Sequence, residues 1–166
     1  MSEEMFMRRA LELAEVAQQR GDVPVGAVLV REGRIEGAGF NQKEANHDPT
    51  AHAEIVALRQ AAARSGGWRL PGATLYVTKE PCVMCAAACV AARIERIVFA
   101  CADPKGGGAG SVLDVTGDDR LNHRVAVEHG LMREEAANML RAFFREKRGD
   151  GGEVAELVDR ARLESE

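Results

Sequence analysis

The chain has 166 residues, of which 46% are hydrophobic, and no apolar run approaches the roughly 18 residues that a membrane-spanning helix requires. These figures exclude a membrane-embedded protein and predict one domain with a core that needs no disulfides. The formal net charge of -4 comes from residues 149–166, which hold six acidic and two basic residues, whereas the rest holds 20 of each. The net charge therefore does not exclude a nucleic-acid partner.

The N-terminal sequence Met1-Ser2-Glu3-Glu4 is acidic, so it lacks the basic start and apolar run of a secretory signal. We therefore expect a cytoplasmic protein without a membrane partner. In that reducing compartment, the four cysteines are expected to be metal ligands or small buried side chains rather than disulfide partners.

The first half of the chain predicts a helix, a β-hairpin and a second helix. Residues 4–19 carry apolar side chains at helical spacing, and residues 25–31 and 34–40 are β-rich runs joined by a short Glu-Gly link. A polar loop leads to Asp48-Pro49, a pair typical of an N-cap and a first helical residue. The apolar run over 51–63 then continues as a helix.

Strands and helices alternate through the rest of the chain. Strands are predicted over 73–78, 95–101 and 124–128, and helices from Pro81 to about residue 93 and over 132–148. The alternation, together with the hairpin, predicts an α/β fold, a three-layer α/β/α sandwich around a five-stranded mixed sheet. We expect a single domain over 1–148 and an acidic C-terminal tail over 149–166.

Two short stretches indicate a metal site, His52-Ala53-Glu54 and Pro81-Cys82-Val83-Met84-Cys85. One imidazole and two thiolates supply three zinc ligands and leave the fourth position for water, which is typical of a catalytic rather than a structural zinc. Cys82 and Cys85 are three residues apart, so they share one face of the first turn of the predicted helix, where the amide ends favour thiolates. The alternative is a chance arrangement of core residues.

Glu54 indicates the type of reaction that the metal site supports. It falls two residues after His52, in the opening turns of the predicted helix, where it can lie beside a zinc-bound water of lowered pKa. A carboxylate there can take a proton from water and return protons to a ring nitrogen and a leaving amine. This division of roles suits the hydrolytic deamination of an aminopurine or aminopyrimidine ring, with one Zn²⁺ per subunit.

Beyond these motifs, the sequence resembles the bacterial tRNA-specific adenosine deaminases, which belong to the cytidine deaminase superfamily. The resemblance runs from the first helix to about residue 148. Its most specific stretches are residues 23–30, 47–55, 73–78, 80–85, 108–111, 122–124 and 143–145.

The resemblance implies a cytidine deaminase-like fold, a homodimer, and conversion of the wobble adenosine of the tRNA anticodon to inosine. It implies that Asn41 hydrogen-bonds the flipped base and that the 103–111 loop shapes the nucleotide pocket. The residues it implies as RNA-binding, on that loop, beside it, or on the last helix against the anticodon stem-loop, are Asp103, Lys105, Asn122, His123, Phe143, Phe144, Arg145, Lys147 and Arg148.

The chain departs from the family pattern at two places. Ala102 stands where relatives often have a basic residue, and Pro104 with three glycines makes the following loop unusually glycine-rich. Many relatives end in a basic tail, whereas residues 149–166 are acidic and are not expected to bind RNA.

Several residues have a structural alternative. Cys89 and Cys101 are expected to be small buried side chains rather than ligands. His47 either supports the loop before Asp48 or belongs to the site, and His123 either satisfies a turn or shapes the pocket. Phe143 and Phe144 are adjacent on a helix, so we expect one ring in the core and the other free to stack on a base. We expect His129 to be a solvated turn residue.

Three functions are compatible with these patterns. The favoured one is wobble-adenosine deamination in tRNA. The second is deamination of a free base or nucleoside such as guanine or cytosine, although such a substrate does not explain a basic, aromatic last helix. The third is a structural zinc protein that binds RNA without chemistry.

Overall fold

The computed structural model describes the backbone of residues 2–163 and the side chains of residues 2–149. Within this part no helix is long and apolar enough to cross a membrane. The elements in chain order are α1 (Glu3–Gln19), β1 (Gly26–Arg31), β2 (Arg34–Phe40), α2 (Lys43–Asn46), α3 (Ala53–Ser65), β3 (Thr74–Lys79), α4 (Val83–Ala91), β4 (Arg96–Cys101), β5 (Ala126–His129) and α5 (Arg133–Leu163).

The five strands form one mixed sheet with the order β2-β1-β3-β4-β5. Strand β1 is antiparallel to both β2 and β3, whereas β3, β4 and β5 are parallel. Strands β3 and β4 are parallel because α4 returns the chain from the end of β3 to the start of β4, and the long segment over 102–125 makes the same return before β5. The predicted five-stranded mixed α/β fold is confirmed.

Alternating residues of the strands face two separate hydrophobic cores. Val28, Tyr76 and Val98 pack in a core with α1 and part of α5. Their strand neighbours pack in the opposite core with α3 and α4, and include Leu29, Leu75, Val77 and Ile97. The sheet is therefore the middle of three layers, as a period of two in a strand buried on both faces requires.

Helix α3 lies unusually close to β2 because a glycine faces it. A Cβ atom at Gly39 would lie 2.4 Å from the carbonyl oxygen of Ala53, the first residue of α3. Only glycine permits this approach, which fixes the beginning of α3 against the sheet.

The predicted start of the second helix at Asp48-Pro49 is wrong. The side chain of Asp48 accepts hydrogen bonds from the backbone amide of Thr50 at 2.8 Å and from its hydroxyl at 2.7 Å, so it closes a local turn instead. Helix α3 begins later, with His52 in the N-cap position.

Helix α2 lies within a segment that the sequence predicts as a polar loop. Its first turn receives support from Asp22, a buried residue whose Oδ2 accepts a hydrogen bond from the amide of Glu44 at 3.0 Å. His47 ends this helix in the left-handed conformation, with φ of 48°, and its side chain is exposed.

Three other boundaries differ from the prediction. Helix α4 begins at Val83, so Pro81 precedes the N-cap residue Cys82 instead of starting the helix. Strand β5 is Ala126–His129, slightly later than expected. Helix α5 continues to Leu163 rather than ending at residue 148, because residues 153–163 are mostly good helix formers that continue the helix beyond the glycines near 150.

Candidate active site

The three expected metal ligands lie together where α3 and α4 begin. His52 Nδ1 is 3.6 Å from Cys82 Sγ and 3.4 Å from Cys85 Sγ. All three ligand atoms lie within 4.8 Å of one another, and among the described side chains no other group of His, Cys, Asp or Glu has a comparable arrangement. One nitrogen and two sulfur donors at this spacing fit a zinc ion with one coordination position left for a non-protein ligand.

The local backbone directs two of these side chains to a common point. His52 and Cys82 are the N-cap residues of α3 and α4, both with extended backbone angles, and neither side chain caps its own helix. Cys85 lies one turn into α4, on the face that Cys82 begins. Both side chains in N-cap positions are therefore available to a metal, close to helix ends that favour negative charge.

The electrostatics of the site favour a thiolate. The hydrogen bond from Cys85, and a further one from His52, lower the pKa of Cys82 to about 3. The hydrogen bond between His52 and Cys82 raises the pKa of His52. The hydrogen bond that Cys85 donates to Cys82, together with burial, raises the pKa of Cys85. Cys82 is thus the first of the two sulfurs to lose its proton.

Glu54 lies in the wall of the same site. It is only 4% exposed, and burial raises its pKa, while the neighbouring His52 opposes the change. A carboxyl group whose pKa is raised by burial holds a proton more readily than an exposed one, which suits a group that must both accept and return a proton in general acid-base catalysis.

A cavity of about 340 Å³ opens over these residues. It is lined by Val23, Val25, Asn41, Lys43, His52, Glu54, Lys79, Glu80, Cys82, Asp103 and Phe144. Asn41 is buried, and its Oδ1 accepts a hydrogen bond from the amide of Ala53 at 2.9 Å. The oxygen of Asn41 therefore supports the start of α3, and its amide group remains on the cavity wall.

A larger groove of about 720 Å³ adjoins the cavity. Lys79, Asp103 and Phe144 line both spaces. The other lining residues of the groove are Lys105, Gly106, Leu140, Arg141, Lys147 and Arg148. Five cations and one carboxylate face this groove, which is the charge distribution of a polyanion-binding surface.

The 103–111 loop is held against the site by hydrogen bonds. Asp103 Oδ1 accepts from the amides of Lys105 at 3.0 Å and Gly106 at 3.1 Å, and its Oδ2 lies 3.1 Å from Lys79 Nζ. Burial alone would raise the pKa of Asp103, but these hydrogen bonds and the Lys79 ammonium lower it. Asp103 is therefore ionised and fixed in position at neutral pH.

Other expected RNA-binding residues are divided between the groove and the rest of the surface. Phe143 is 6% exposed whereas Phe144 is 42% exposed, so one ring is core and the other is free, as predicted. Arg145 is exposed but does not line the groove. Asn122 is exposed and lines neither space, and His123 Nε2 lies 2.7 Å from the carbonyl oxygen of Ile94, a contact that joins its loop to the segment before β4.

The remaining cysteines are structural. Cys89 is fully buried, and burial raises its pKa. Cys101 is also buried and donates its S–H to the carbonyl oxygen of Thr78 at 3.4 Å. Neither joins the three ligands, so both have the expected role of small core side chains.

Sequence reasoning missed Lys79 and Glu80 as site residues. Lys79 ends a strand that is mostly buried, and Glu80 follows it directly before the Pro81-Cys82 turn. A charged pair in that position is itself a sequence signal, because charged residues next to a buried strand need partners. The structure shows Glu80 to be only 2% exposed.

Comparison of the sequence with known proteins gives consistent results. Residues 1–148 match the family model of MafB19-like deaminases. The chain is 45% identical over 146 residues to the tRNA-specific adenosine deaminase of Bacillus subtilis, with 88% of this chain and 91% of that protein covered. It is 47% identical over 147 residues to the tRNA-specific adenosine deaminase of Haemophilus influenzae, with 88% and 85% covered.

Solved structures agree with these relationships. One from a study of A-to-I editing by tRNA:A34 deaminases at the wobble position superposes with a TM-score of 0.80 and 45% identity, covering 82% of this chain and 99% of that one. The guanine deaminase of Bacillus subtilis superposes with a TM-score of 0.60 and 39% identity, covering 61% and 66%. With the fold, the ligand triad and relatives that match along most of their length, the chain belongs to the tRNA-specific adenosine deaminase family.

Proposed function

We propose that this enzyme converts the wobble adenosine of a tRNA anticodon to inosine by hydrolytic deamination. The observation that carries the proposal is the continuity between the cavity at Glu54 and the cationic groove, which share Lys79, Asp103 and Phe144. A free base would need only the cavity, whereas a nucleotide within an RNA also needs a surface for the adjoining backbone. The relatives that match along most of their length act on tRNA by name.

We infer one Zn²⁺ per subunit, held by His52, Cys82 and Cys85. The N and S donor set and the spacing of the ligand atoms support this metal. When bound, zinc supplies activation of the attacking water. Glu54 accepts the first proton of the attacking water and passes it to the ring nitrogen as the new C–O bond forms. It then moves the remaining hydroxyl proton to the amino group, so that the C–N bond breaks, the carbonyl group of inosine forms, and ammonia leaves.

The adenine is oriented by groups around the metal. Asn41 stands on the cavity wall with its oxygen already bonded to the amide of Ala53, so its amide NH₂ is the group available to an acceptor on the base. Cavity walls formed by Val23 and Val25 offer apolar contact to the ring faces. The target base must be unstacked from its neighbours to enter a cavity of this size.

The anticodon stem-loop is proposed to lie along the groove and helix α5. Asp103 can accept a ribose hydroxyl, Phe144 can stack on an exposed base, and Lys105 and Arg148 can contact phosphates. For Asn122, His123 and Arg145 the proposal rests on family resemblance alone, whereas the buried ring of Phe143 contributes by packing against Phe144. A tRNA substrate would place the enzyme in the cytoplasm.

We propose a homodimer formed through the outer face of α3 and α4. Trp68 is 59% exposed there, beside an open, largely apolar hollow of about 280 Å³. Its lining residues are Ile55, Leu58, Arg59, Ala62, Trp68, Leu70, Ala88, Ala91 and Ala92. An exposed apolar surface of this kind is typical of a protein interface, and sedimentation of wild type and Trp68→Glu would show whether this face forms the dimer.

The function is tested by incubating zinc-loaded protein with the total tRNA of the source cell and sequencing the pool. Inosine is read as guanosine, so we expect adenosine-to-guanosine changes at the wobble position of one or a few tRNAs. Glu54→Ala is the matched control; it keeps the three ligands, and we expect it to bind zinc and RNA while its deamination falls by a factor of about 10² to 10⁴. Absence of inosine with the wild-type protein would refute the proposal.

A second candidate function is deamination of a free base or nucleoside, which the structural similarity to a guanine deaminase favours. Ammonia release from guanine, adenosine or cytidine in the absence of RNA would support it. The five cations of the groove have no role in that reaction, which is why the RNA substrate is favoured. Membership of an enzyme family argues against a purely structural zinc protein.

A further inference from the structure

Lys79 occupies the boundary between the cavity and the groove. It is the last residue of β3, and its side chain is 29% exposed. Among the described side chains, it is the only cation that lines both spaces, since Lys43 faces the cavity alone and Lys105 faces the groove alone. Nothing in the metal chemistry described above uses this ammonium group.

The path of an RNA substrate passes this boundary. The target base must enter the cavity to reach Glu54, whereas the adjoining nucleotides remain in the groove. The sugar-phosphate backbone of the target nucleotide therefore crosses from one space to the other beside Lys79, Asp103 and Phe144. A phosphate flanks that nucleotide on each side, so at least one negative charge comes close to this point.

The charges at the boundary favour a cation at position 79. Asp103 is ionised, and alone it would repel a phosphate at short range. Lys79 Nζ lies 3.1 Å from Asp103 Oδ2, and this contact both neutralises the carboxylate and holds the ammonium group at the boundary. An ammonium group has three N–H donors, so two remain for phosphate oxygens after one is used by Asp103.

We propose that Lys79 binds a phosphate flanking the target adenosine and so anchors the backbone while the base is in the cavity. The proposal rests on the proposed RNA substrate and adds a specific contact to it. The competing explanation is that Lys79 serves only to position Asp103. The two differ in one measurable property, because only a phosphate contact releases a counterion from the RNA.

The experiment measures binding of an anticodon stem-loop RNA to zinc-loaded protein over a range of KCl concentrations. Every variant carries Glu54→Ala, so that the RNA is not converted during the titration. In this background Lys79→Met is expected to reduce the magnitude of the slope of log Kd against log [KCl] by about 0.7, the value for one contact to a single strand. Lys79→Arg keeps a cation and is expected to keep the slope.

Arg34→Met is the matched control for loss of one positive charge. Arg34 is exposed at the far end of the hairpin, about 20 Å along β2 from Asn41 at the cavity. We expect its slope to equal that of the parent. Zinc content and thermal unfolding of each variant establish that the ligand triad and the fold are retained.

A second arm separates the phosphate contact from the positioning of Asp103. First, Lys79→Met is added to protein that carries both Glu54→Ala and Asp103→Asn, and its slope is compared with that of the protein without Lys79→Met. Second, each of the two phosphates flanking the adenosine is replaced in turn by a neutral methylphosphonate. We expect the slope change to persist with Asp103→Asn and to disappear for one of the two methylphosphonate RNAs. An unchanged slope for Lys79→Met, or a change that disappears with Asp103→Asn, overturns the inference.

The same experiment distinguishes failure of the proposed RNA substrate from failure of the proposed role of Lys79. If the Glu54→Ala parent fails to bind the stem-loop at any salt concentration, the RNA substrate itself is wrong. If the parent binds and Lys79→Met has the same slope, the RNA substrate stands and the role of Lys79 is wrong.

Discussion

Gly107 lies directly against the carboxylate of Glu80, and a Cβ atom at position 107 would be 2.1 Å from Glu80 Oε2. The carboxylate cannot easily move away, because it is buried and accepts hydrogen bonds from the amides of Asp103, Ala109 and Ser111 and from the Ser111 hydroxyl. Glu80 thus organises the whole loop that carries Asp103 and Lys105.

The first prediction follows from this contact. Gly107→Ala must displace either the loop or the carboxylate, so we expect it to lower the free energy of unfolding by about 1 to 3 kcal/mol. Because Asp103 and Lys105 are on the same loop, KM for the RNA should rise more than kcat falls. Urea unfolding and steady-state kinetics measure the two effects.

Gly67→Ala is the control for the loss of a glycine. A Cβ atom at Gly67 has no atom within 4 Å, so its effect on unfolding should be within about 0.5 kcal/mol. Equal stability of the two alanine variants would show that the loop is not packed on Glu80 as described.

The second prediction distinguishes the two cysteines of α4. Cys85 is a proposed ligand, whereas Cys89 lies one turn further on in the core. Cys85→Ala should lose bound zinc and all deamination, and Cys89→Ala should keep one zinc per subunit. Metal analysis of the purified variants by mass spectrometry gives the answer, and zinc loss from Cys89→Ala alone would reverse the assignment.

What could be predicted from the sequence was set by local spacing. The strands, the main helices and the pairing of Cys82 with Cys85 depend on periodicity and on residues a few positions apart. His52 is 30 positions from Cys82, and it is grouped with the cysteines by its chemistry as a zinc ligand rather than by spacing. The start of α3 was misplaced because the residue that supports it is distant. Asn41 caps the amide of Ala53 across a loop, and no rule about neighbouring residues detects that contact.

Long-range partners explain the other omissions. Helix α2 depends on Asp22, which is 22 positions before the amide it binds. Glu80 and Lys79 gain their roles from the 103–111 loop, which follows a whole helix and strand later. Local patterns do not specify such contacts, since they arise only when the sheet brings the ends of β3 and β4 together.

The third prediction concerns Tyr76, the only tyrosine in the chain. Its ring is buried in the sheet, and burial together with the hydrogen bond to Glu3 raises its pKa to about 12. Absorbance at 295 nm should therefore show phenolate forming near this value in the folded protein and near about 10 in guanidinium chloride. Glu3→Ala should lower the folded midpoint, because the acceptor of the phenol proton is removed.

The sign of the linked stability follows from the raised pKa. The folded state favours the protonated phenol, so this contribution is complete below about pH 10 and is lost as pH rises towards about 12. Unfolding measured across that interval should show decreasing stability for wild type and a smaller decrease for Glu3→Ala. A phenolate midpoint near 10 in the folded protein would contradict the burial of Tyr76.

The last prediction uses the adjacent pair Phe143 and Phe144. The two rings pack edge to face with their centroids 5.4 Å apart. Only Phe144 lines the cavity and the groove. Phe143→Ala removes a buried ring and should cost about 3 kcal/mol of stability. Phe144→Ala should change stability by less than about 1 kcal/mol and weaken stem-loop binding by about 1 to 3 kcal/mol, the usual value of one base stack.

Each variant serves as the control for the other, since both lose the same ring from neighbouring positions of α5. Thermal unfolding reports the first effect, and fluorescence anisotropy with a labelled stem-loop reports the second. Normal RNA affinity for Phe144→Ala would remove base stacking from the proposed role of α5 and leave its cations as the only contribution to binding.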